Sequence, residues 1–301
     1  MTPIARQLAV RRAALRWLED ERARGHEIWS QSELASFTFQ GERTPLIDAH
    51  RALLVPPGWT GALSMRSVYR APGAERRHED GIGPDGLYRY AWRHEGPDHA
   101  ENRGLRDAML QHLPMIWFYP VAVGEYLVLD TVYLLDEERE DRRWVVALGE
   151  DQRLVPVRET TDLERRYTER STRQRLHHRA FQASVLWAYD ERCAVCALHH
   201  RPLLEAAHIT RSPDAGGAPL TSNGLALCKI HYAAFSAGLL GIRPDMTVHI
   251  RADLMREVDG PMLRHGLQEY HDKRLLVLPR AEENRPDPKR IAVRYELFLA
   301  G

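Results

Sequence analysis

Cys193-Ala-Val-Cys196, then Leu203-Leu-Glu-Ala-Ala-His208-Ile209, then Asn223-Gly-Leu-Ala-Leu-Cys228-Lys-Ile-His231 is the stretch on which the reading of this chain turns. It opens with a C-x2-C pair and closes with a C-x2-H pair, and all three cysteines of the sequence lie inside it. Two such pairs can bring four soft or borderline ligands around one tetrahedral Zn²⁺. Four protein ligands close the coordination sphere, so Cys193, Cys196, Cys228 and His231 read as a structural centre that ties the start of a small module to a later helix. The plainer reading is a set of free cysteines buried in a turn and a helix. The second pair at a workable distance favours the metal.

Between the pairs, the apolar run around His208 reads as a strand. A polar loop, Arg211-Ser-Pro-Asp-Ala-Gly-Gly-Ala-Pro-Leu-Thr-Ser222, follows, and the pattern then suggests a helix from near Asn223 to about Ala237. A neutral imidazole at His208 suits the removal of a proton from water as it attacks phosphorus. The amide of Asn223 carries both donor and acceptor, so it can bridge two backbone segments and orient that imidazole. A divalent ion, Mg²⁺ or another, would steady charge on the leaving 3′ oxygen. A lone histidine is more often a satisfied core residue, and only its place between the two pairs reverses that judgement.

These residues, with Phe235, Leu240-Gly-Ile-Arg-Pro-Asp245 and Asp259-Gly-Pro-Met-Leu-Arg-His-Gly-Leu-Gln268, resemble bacterial HNH endonucleases of the restriction type over about 180–300. The resemblance implies a ββα-metal module acting on DNA, with His208 as general base, Asn223 as the middle letter, and the Cys/His tetrad on zinc. Two positions depart from it. Tyr232 stands where many relatives have a histidine that holds the catalytic ion, and Ala207 stands where Asp or His often precedes the base. Glu205 and Tyr232 are then the positions left to hold that ion, although a phenol is a poor Mg²⁺ ligand. Tyr232 also motivates a second reading, a catalytically impaired, zinc-containing DNA-binding protein.

Outward from this block, the chain has 42 basic and 42 acidic side chains, so any DNA contact must come from local clusters. Three cysteines do not make a secreted disulfide scaffold. The charged N-terminus has no apolar core of signal-peptide length, and no stretch reaches the roughly 20 apolar residues of a membrane span. A cytoplasmic protein with no membrane partner is the expectation.

The overall expectation is α+β. Residues 4–24 read as an amphipathic helix with Ile4, Leu8, Ala9, Leu15, Leu18 and Ala23 inward, and 29–39 as a second short helix. Short apolar runs separated by Gly/Pro turns from about 45 to 155 make a β-rich segment, interrupted by a helix at 102–112. The expected organisation is 1–155, N-terminal helices and a β-rich recognition domain in the style of SRA or PUA readers of modified bases; 156–180, a basic helical linker; and 181–301, the nuclease domain. Tyr88-Arg-Tyr-Ala-Trp-Arg-His94 interleaves basic and aromatic residues, which nominates Arg89 and Arg93 for nucleic-acid contact. The run 164–179 holds six arginines, which nominates Arg173, Arg175 and Arg179. An ordinary strand and a solvated helix face are the alternatives. A homodimer suits cutting of both strands with one centre per chain.

Overall fold

The computed structural model describes residues 3–69, 80–93, 96–155, 157, 161–210 and 220–300. His94 and most of the polar loop, 211–219, lie outside the described residues. Helix and sheet are mixed, and the chain divides into two compact units, Met1–Ala180 and Phe181–Gly301.

In the N-terminal unit, α1 (Pro3–Ala23) is followed by β1 (Ile28–Ser30), α2 (Gln31–Leu34), β2 (Thr38–Phe39) and β3 (Glu42–Arg43). The short helix expected across 29–39 is thus mostly strand and turn. Only α2 is helical there, started by a capping box in which Ser30 and Glu33 exchange bonds. Next come β4 (Leu53–Leu54), β5 (Ser64–Arg66), β6 (Gly81–Ile82), β7 (Tyr88–Ala91), α3 (Ala100–Leu110), β8 (Met115–Ala122), β9 (Glu125–Glu138) and β10 (Arg143–Ala147). The sheet order is β4-β5-β8-β9-β10-β7-β6, with β1 paired to β9. Every pairing in it is antiparallel except β5 with β8. Trp117, Phe118, Trp144 and Tyr90 fill its interior, and the Trp117 ring lies 5.1 Å from Tyr88 and 5.9 Å from Tyr90.

The buried face of α1 differs from the expected one. Gln7, Val10, Arg11, Ala14 and Leu18 point inward, whereas Ile4 and Leu8 are exposed. Arg11 is buried without a carboxylate. Its guanidinium donates to the carbonyls of Pro114, Gly61 and Ala62 at 2.9, 3.0 and 2.7 Å, and burial lowers its pKa to about 10. A buried cation held by backbone carbonyls leaves no apolar signature in the sequence.

The proposed nucleic-acid contacts of β7 are also internal. Arg89 is 2% exposed and donates to Asp85 at 2.7 and 2.9 Å and to Glu138 at 2.9–3.1 Å. Burial opposes its charge, but the two carboxylates outweigh that and hold its pKa above the usual value. Gly83 makes room for the guanidinium: a Cβ there would lie 2.5 Å from Arg89 Cζ. Arg93 pairs with Asp80 at 2.7 Å and covers the Tyr90 ring at 4.1 Å. Neither side chain is presented to a phosphate.

The basic run after the sheet is a helix, α4 (Asp162–Arg173), continued through a π-turn at Gln174–His178 into α5 (Arg179–Ala188). Instead of hanging as a linker, α4 is packed into the N-terminal unit. Thr172 Oγ1 donates to Gly86 O (2.8 Å) and accepts from Gln152 Nε2 (2.9 Å), and a Cβ on Gly86 would lie 2.5 Å from Glu169 N. Three of its arginines are already engaged: Arg173 with Glu169 (2.8 Å), Arg175 with Asp151 and Leu148 O (both 2.8 Å), and Arg179 with Val128 O (3.3 Å). Arg165, Arg166, Arg170 and Arg173 are the exposed arginines of this run, and Arg165 also pairs with Asp162 at 3.2 Å.

In the C-terminal unit, β11 (Leu204–His208) and β12 (Gly224–Cys228) form an antiparallel hairpin. α6 (Lys229–Ser236), the pair β13 (Leu240–Ile242) and β14 (Val248–Ile250), α7 (Ala252–Arg256), α8 (Pro261–Gly266) and α9 (Pro288–Ala300) follow. Phe181, Val185 and Leu186 of α5, with Tyr189 just beyond it, pack with Leu204, Leu225, Leu227, Phe235 and Ile291 in its core. Asn223 therefore precedes a second strand and does not start a helix. The apolar run Gly-Leu-Ala-Leu fits either period, and full burial on both faces of β12 removes the alternation that would identify a strand.

Removing Arg89 leaves Asp85 and Glu138 as buried charges without their partner. Arg89→Ala is expected to destabilise the N-terminal unit by about 3–5 kcal/mol in chemical denaturation. A loss below about 1 kcal/mol, the range of exposed pairs, would show that the guanidinium is not the hub described here.

Candidate active site and metal centre

The Cys193–Cys196 turn closes through Cys193 N donating to Leu198 O (3.0 Å) and Ala197 N donating to Cys193 O (2.8 Å), with Ala197 in the left-handed region at φ 57°. A further bond from Ala194 N to Ala226 O (2.7 Å) lays this turn on β12. Cys228 ends β12 and caps α6, so Cys228 and His231 lie three residues apart around a helix start and share a face. These four side chains converge, their ligand atoms all within 4.8 Å of one another. Cys193 Sγ and Cys228 Sγ stand 3.5 and 3.1 Å from His231 Nδ1, and Cys196 Sγ is 4.0 Å from Cys228 Sγ.

Zn–S bonds of about 2.3 Å in a tetrahedron put sulfurs about 3.8 Å apart, close to the spacing found. Electrostatics point the same way. Burial opposes charge on His231, yet the Cys196 and Cys228 sulfurs outweigh it and raise its pKa to about 9. Such a cluster draws in positive charge. The Tyr270 ring meets the His231 imidazole edge-on at 5.2 Å, and His231 Nε2, on the far side of the ring from the sulfurs, is buried with no partner among the described residues. Nδ1 is the nitrogen aimed at the sulfurs.

The same hairpin positions His208 and Asn223. His208 is the last residue of β11, opposite Gly224, and it is the exposed end of an otherwise covered strand. Its imidazole lies flat on Phe181, with ring centroids 3.7 Å apart and planes 12° from parallel. Gly224 is what lets α5 come so close. A Cβ there would overlap Val185 Cγ2 and lie 3.1 Å from the Phe181 ring. Asn223 is buried and clasps the residue just past β11. Its Oδ1 accepts from Thr210 N (3.0 Å) and Thr210 Oγ1 (3.1 Å), its Nδ2 donates to Thr210 O (3.0 Å), and its own carbonyl accepts from Ile209 N (2.9 Å). Three of the four hydrogen-bonding positions of the side-chain amide are thus spent on one residue, leaving little freedom at the end of the His208 strand.

Of the two positions suggested for a catalytic ion, Glu205 joins His208 in no group of three or more His, Cys, Asp or Glu ligands among the described residues. Glu205 is three residues back along an alternating strand and forms an ion pair with Lys229. Tyr232 is partly buried against the apolar core. Among the described residues, the Cys3His cluster is the group that gathers three or more His, Cys, Asp or Glu ligands at one point. Phe181, Thr210 and Gly224 belong to the site although nothing in their spacing singles them out. Their contribution is contact and room, which a sequence does not display.

Residues 193–243 match the family model for the HNH endonuclease. The chain carries an HNH endonuclease domain. An endonuclease domain of this kind hydrolyses phosphodiester bonds. No curated protein matches the chain. Among solved structures, one described as a modification-dependent TagI restriction endonuclease aligns at 17% identity, over 78% of this chain and 81% of its own, with a TM-score of 0.28. That score is too low to establish a common fold, and the HNH assignment stands on the family match.

Gly224→Ala is expected to cost the HNH domain about 1–3 kcal/mol, because the methyl must displace Val185 or Phe181. Thermal or denaturant unfolding of the variant measures it. An unchanged midpoint would mean that α5 does not press on the His208 strand as described.

Proposed function

We propose that this HNH enzyme is a restriction- or defence-type DNA endonuclease in which His208 is the general base, Asn223 positions it, and Cys193, Cys196, Cys228 and His231 hold a structural zinc ion. The observation that carries the reading is the coincidence of one exposed imidazole with rigid support on every side: stacked on Phe181, ending a strand paired to β12, and followed by a residue clamped by Asn223.

In the neutral form, His208 accepts a proton from the water that attacks phosphorus. Its stacking on Phe181 fixes the ring plane, so the accepting nitrogen is held in place before substrate arrives. Asn223 acts through Thr210 and the backbone, keeping the strand end from fraying. Cys193, Cys196, Cys228 and His231 would hold the zinc, tying the Cys193 turn to the β12–α6 junction in a structural role. HNH nucleases use a second, divalent ion, which supplies stabilisation of the leaving oxygen when bound. The described residues beside His208 do not form a carboxylate cage for it, so no step is assigned through it.

The N-terminal unit is proposed to select the DNA, including by a modified base, with the exposed Arg166 and Arg170 as supporting features. A homodimer is proposed for double-strand cutting. No helix among the described residues is long and apolar enough to cross a membrane, and action on DNA in the cytoplasm is the corresponding proposal.

Supercoiled plasmid, unmodified and variously modified, incubated with Mg²⁺, Mn²⁺ or Ni²⁺ tests the reading. Wild type is expected to nick at least one substrate, and His208→Ala to slow nicking by about 10²–10⁴, the usual contribution of a general base. Equal nicking by both proteins would reject His208 as the base. DNA binding without nicking would favour the zinc-containing DNA-binding protein that Tyr232 suggests.

A further inference from the structure

Arg290 lies on α9, 47 residues beyond the family-matched segment, yet it reaches the nuclease hairpin. Its Nη1 donates to Thr210 Oγ1 at 3.0 Å. The same hydroxyl donates to Asn223 Oδ1, so guanidinium, hydroxyl and amide form one chain of hydrogen bonds that ends two residues from His208. The first turn of α9 is fastened to the other side of the hairpin: Asp287 N donates to Ser222 O (2.9 Å), next to Asn223. Ile291 is buried in the core of the domain and fixes the helix beneath its neighbour.

The charge of Arg290 is less closely matched than that of some neighbouring arginines. Arg251 has Asp253 at 2.7 Å on both ends of its fork, Arg243 is paired with Asp272, and Arg294 donates to Phe235 O while covering that ring. For Arg290, the carboxylate within reach among the described residues is Asp287 at 3.8 Å, beyond hydrogen-bond distance, and one oxygen of that group already accepts from Lys289 N at 2.8 Å. The Arg290 side chain is 25% exposed. One nitrogen thus donates to a neutral hydroxyl, and this permanently charged, quarter-exposed side chain lies beside the end of the His208 strand. A guanidinium held by one corner is well suited to an anion with paired oxygens.

We propose that Arg290 is a further substrate-contacting residue of the nuclease centre, binding a DNA phosphodiester beside the one cleaved, with Thr210 as its positioner. The proposal rests on the assignment of His208 to the reaction. It also implies that the functional HNH unit extends to α9, which the family-matched segment does not include.

The test is DNA binding by fluorescence anisotropy over a salt series, with nicking measured in parallel, on the full chain of wild type, Arg290→Gln and Arg290→Lys. Loss of one phosphate contact is expected to lower the log–log salt slope by about 1 in Arg290→Gln. Arg290→Lys should keep the slope, because the charge remains, but nick more slowly, because a point charge lacks the fork. A purely structural role would not move the slope. Circular dichroism establishes folding. Should the glutamine variant be unfolded, a folded lysine variant that loses the slope overturns the proposal. An unchanged slope in folded Arg290→Gln, with wild type nicking normally, overturns it and leaves His208 untouched. Failure of wild type to nick any substrate strikes the nuclease-centre reading, and this proposal with it.

Discussion

Three thiols and one imidazole nitrogen turned toward a single point are the constraint on which the HNH domain is built. Burying them together without a cation would crowd polar groups that cannot satisfy one another, and the raised pKa of His231 registers that demand. A bound ion turns the same crowding into folding energy. It does so at a critical seam, because Cys228 is at once the last residue of β12 and the cap of α6, while the Cys193 turn is hydrogen-bonded to β12 through Ala194 and Ala226. Fixing that seam fixes the register of β12 against β11, and with it the position of His208 opposite Gly224.

The division of labour follows from burial. Asn223, Phe181 and the metal ligands are covered or nearly so, and each is committed to holding something else. His208 is exposed at the strand end. On the proposed assignment of His208 as base, rigid groups around one accessible imidazole make a preorganised centre, in which little must reorganise when a water is activated. Thr210 couples this centre to α9, so the helix that closes the domain also buttresses its reactive edge.

Much of this was legible in the sequence, and the failures have identifiable causes. Ligand spacing is a local property, so C-x2-C and C-x2-H announced the cluster, and the apolar run around His208 announced a strand. The start of the following helix was misplaced from Lys229 to Asn223 because Gly224–Cys228 is buried on both faces and carries no period-2 alternation. Arginine was the harder residue. Arg11, Arg89 and Arg93 look like solvent or phosphate contacts, but their partners are backbone carbonyls or acids up to about a hundred positions away, among them Pro114 for Arg11 and Glu138 for Arg89. Conversely, Arg290 attracted no notice, because the hydroxyl it meets is 80 residues upstream. Hydrophobic periodicity reports which face is covered; it is silent on which charge finds which partner.

X-ray absorption at the zinc edge of the purified chain tests the central claim most directly. One zinc per chain, with three sulfur neighbours at about 2.3 Å and one nitrogen at about 2.0 Å, is the predicted result. A metal-free, fully folded protein, or a zinc shell made mainly of oxygen, would contradict the account.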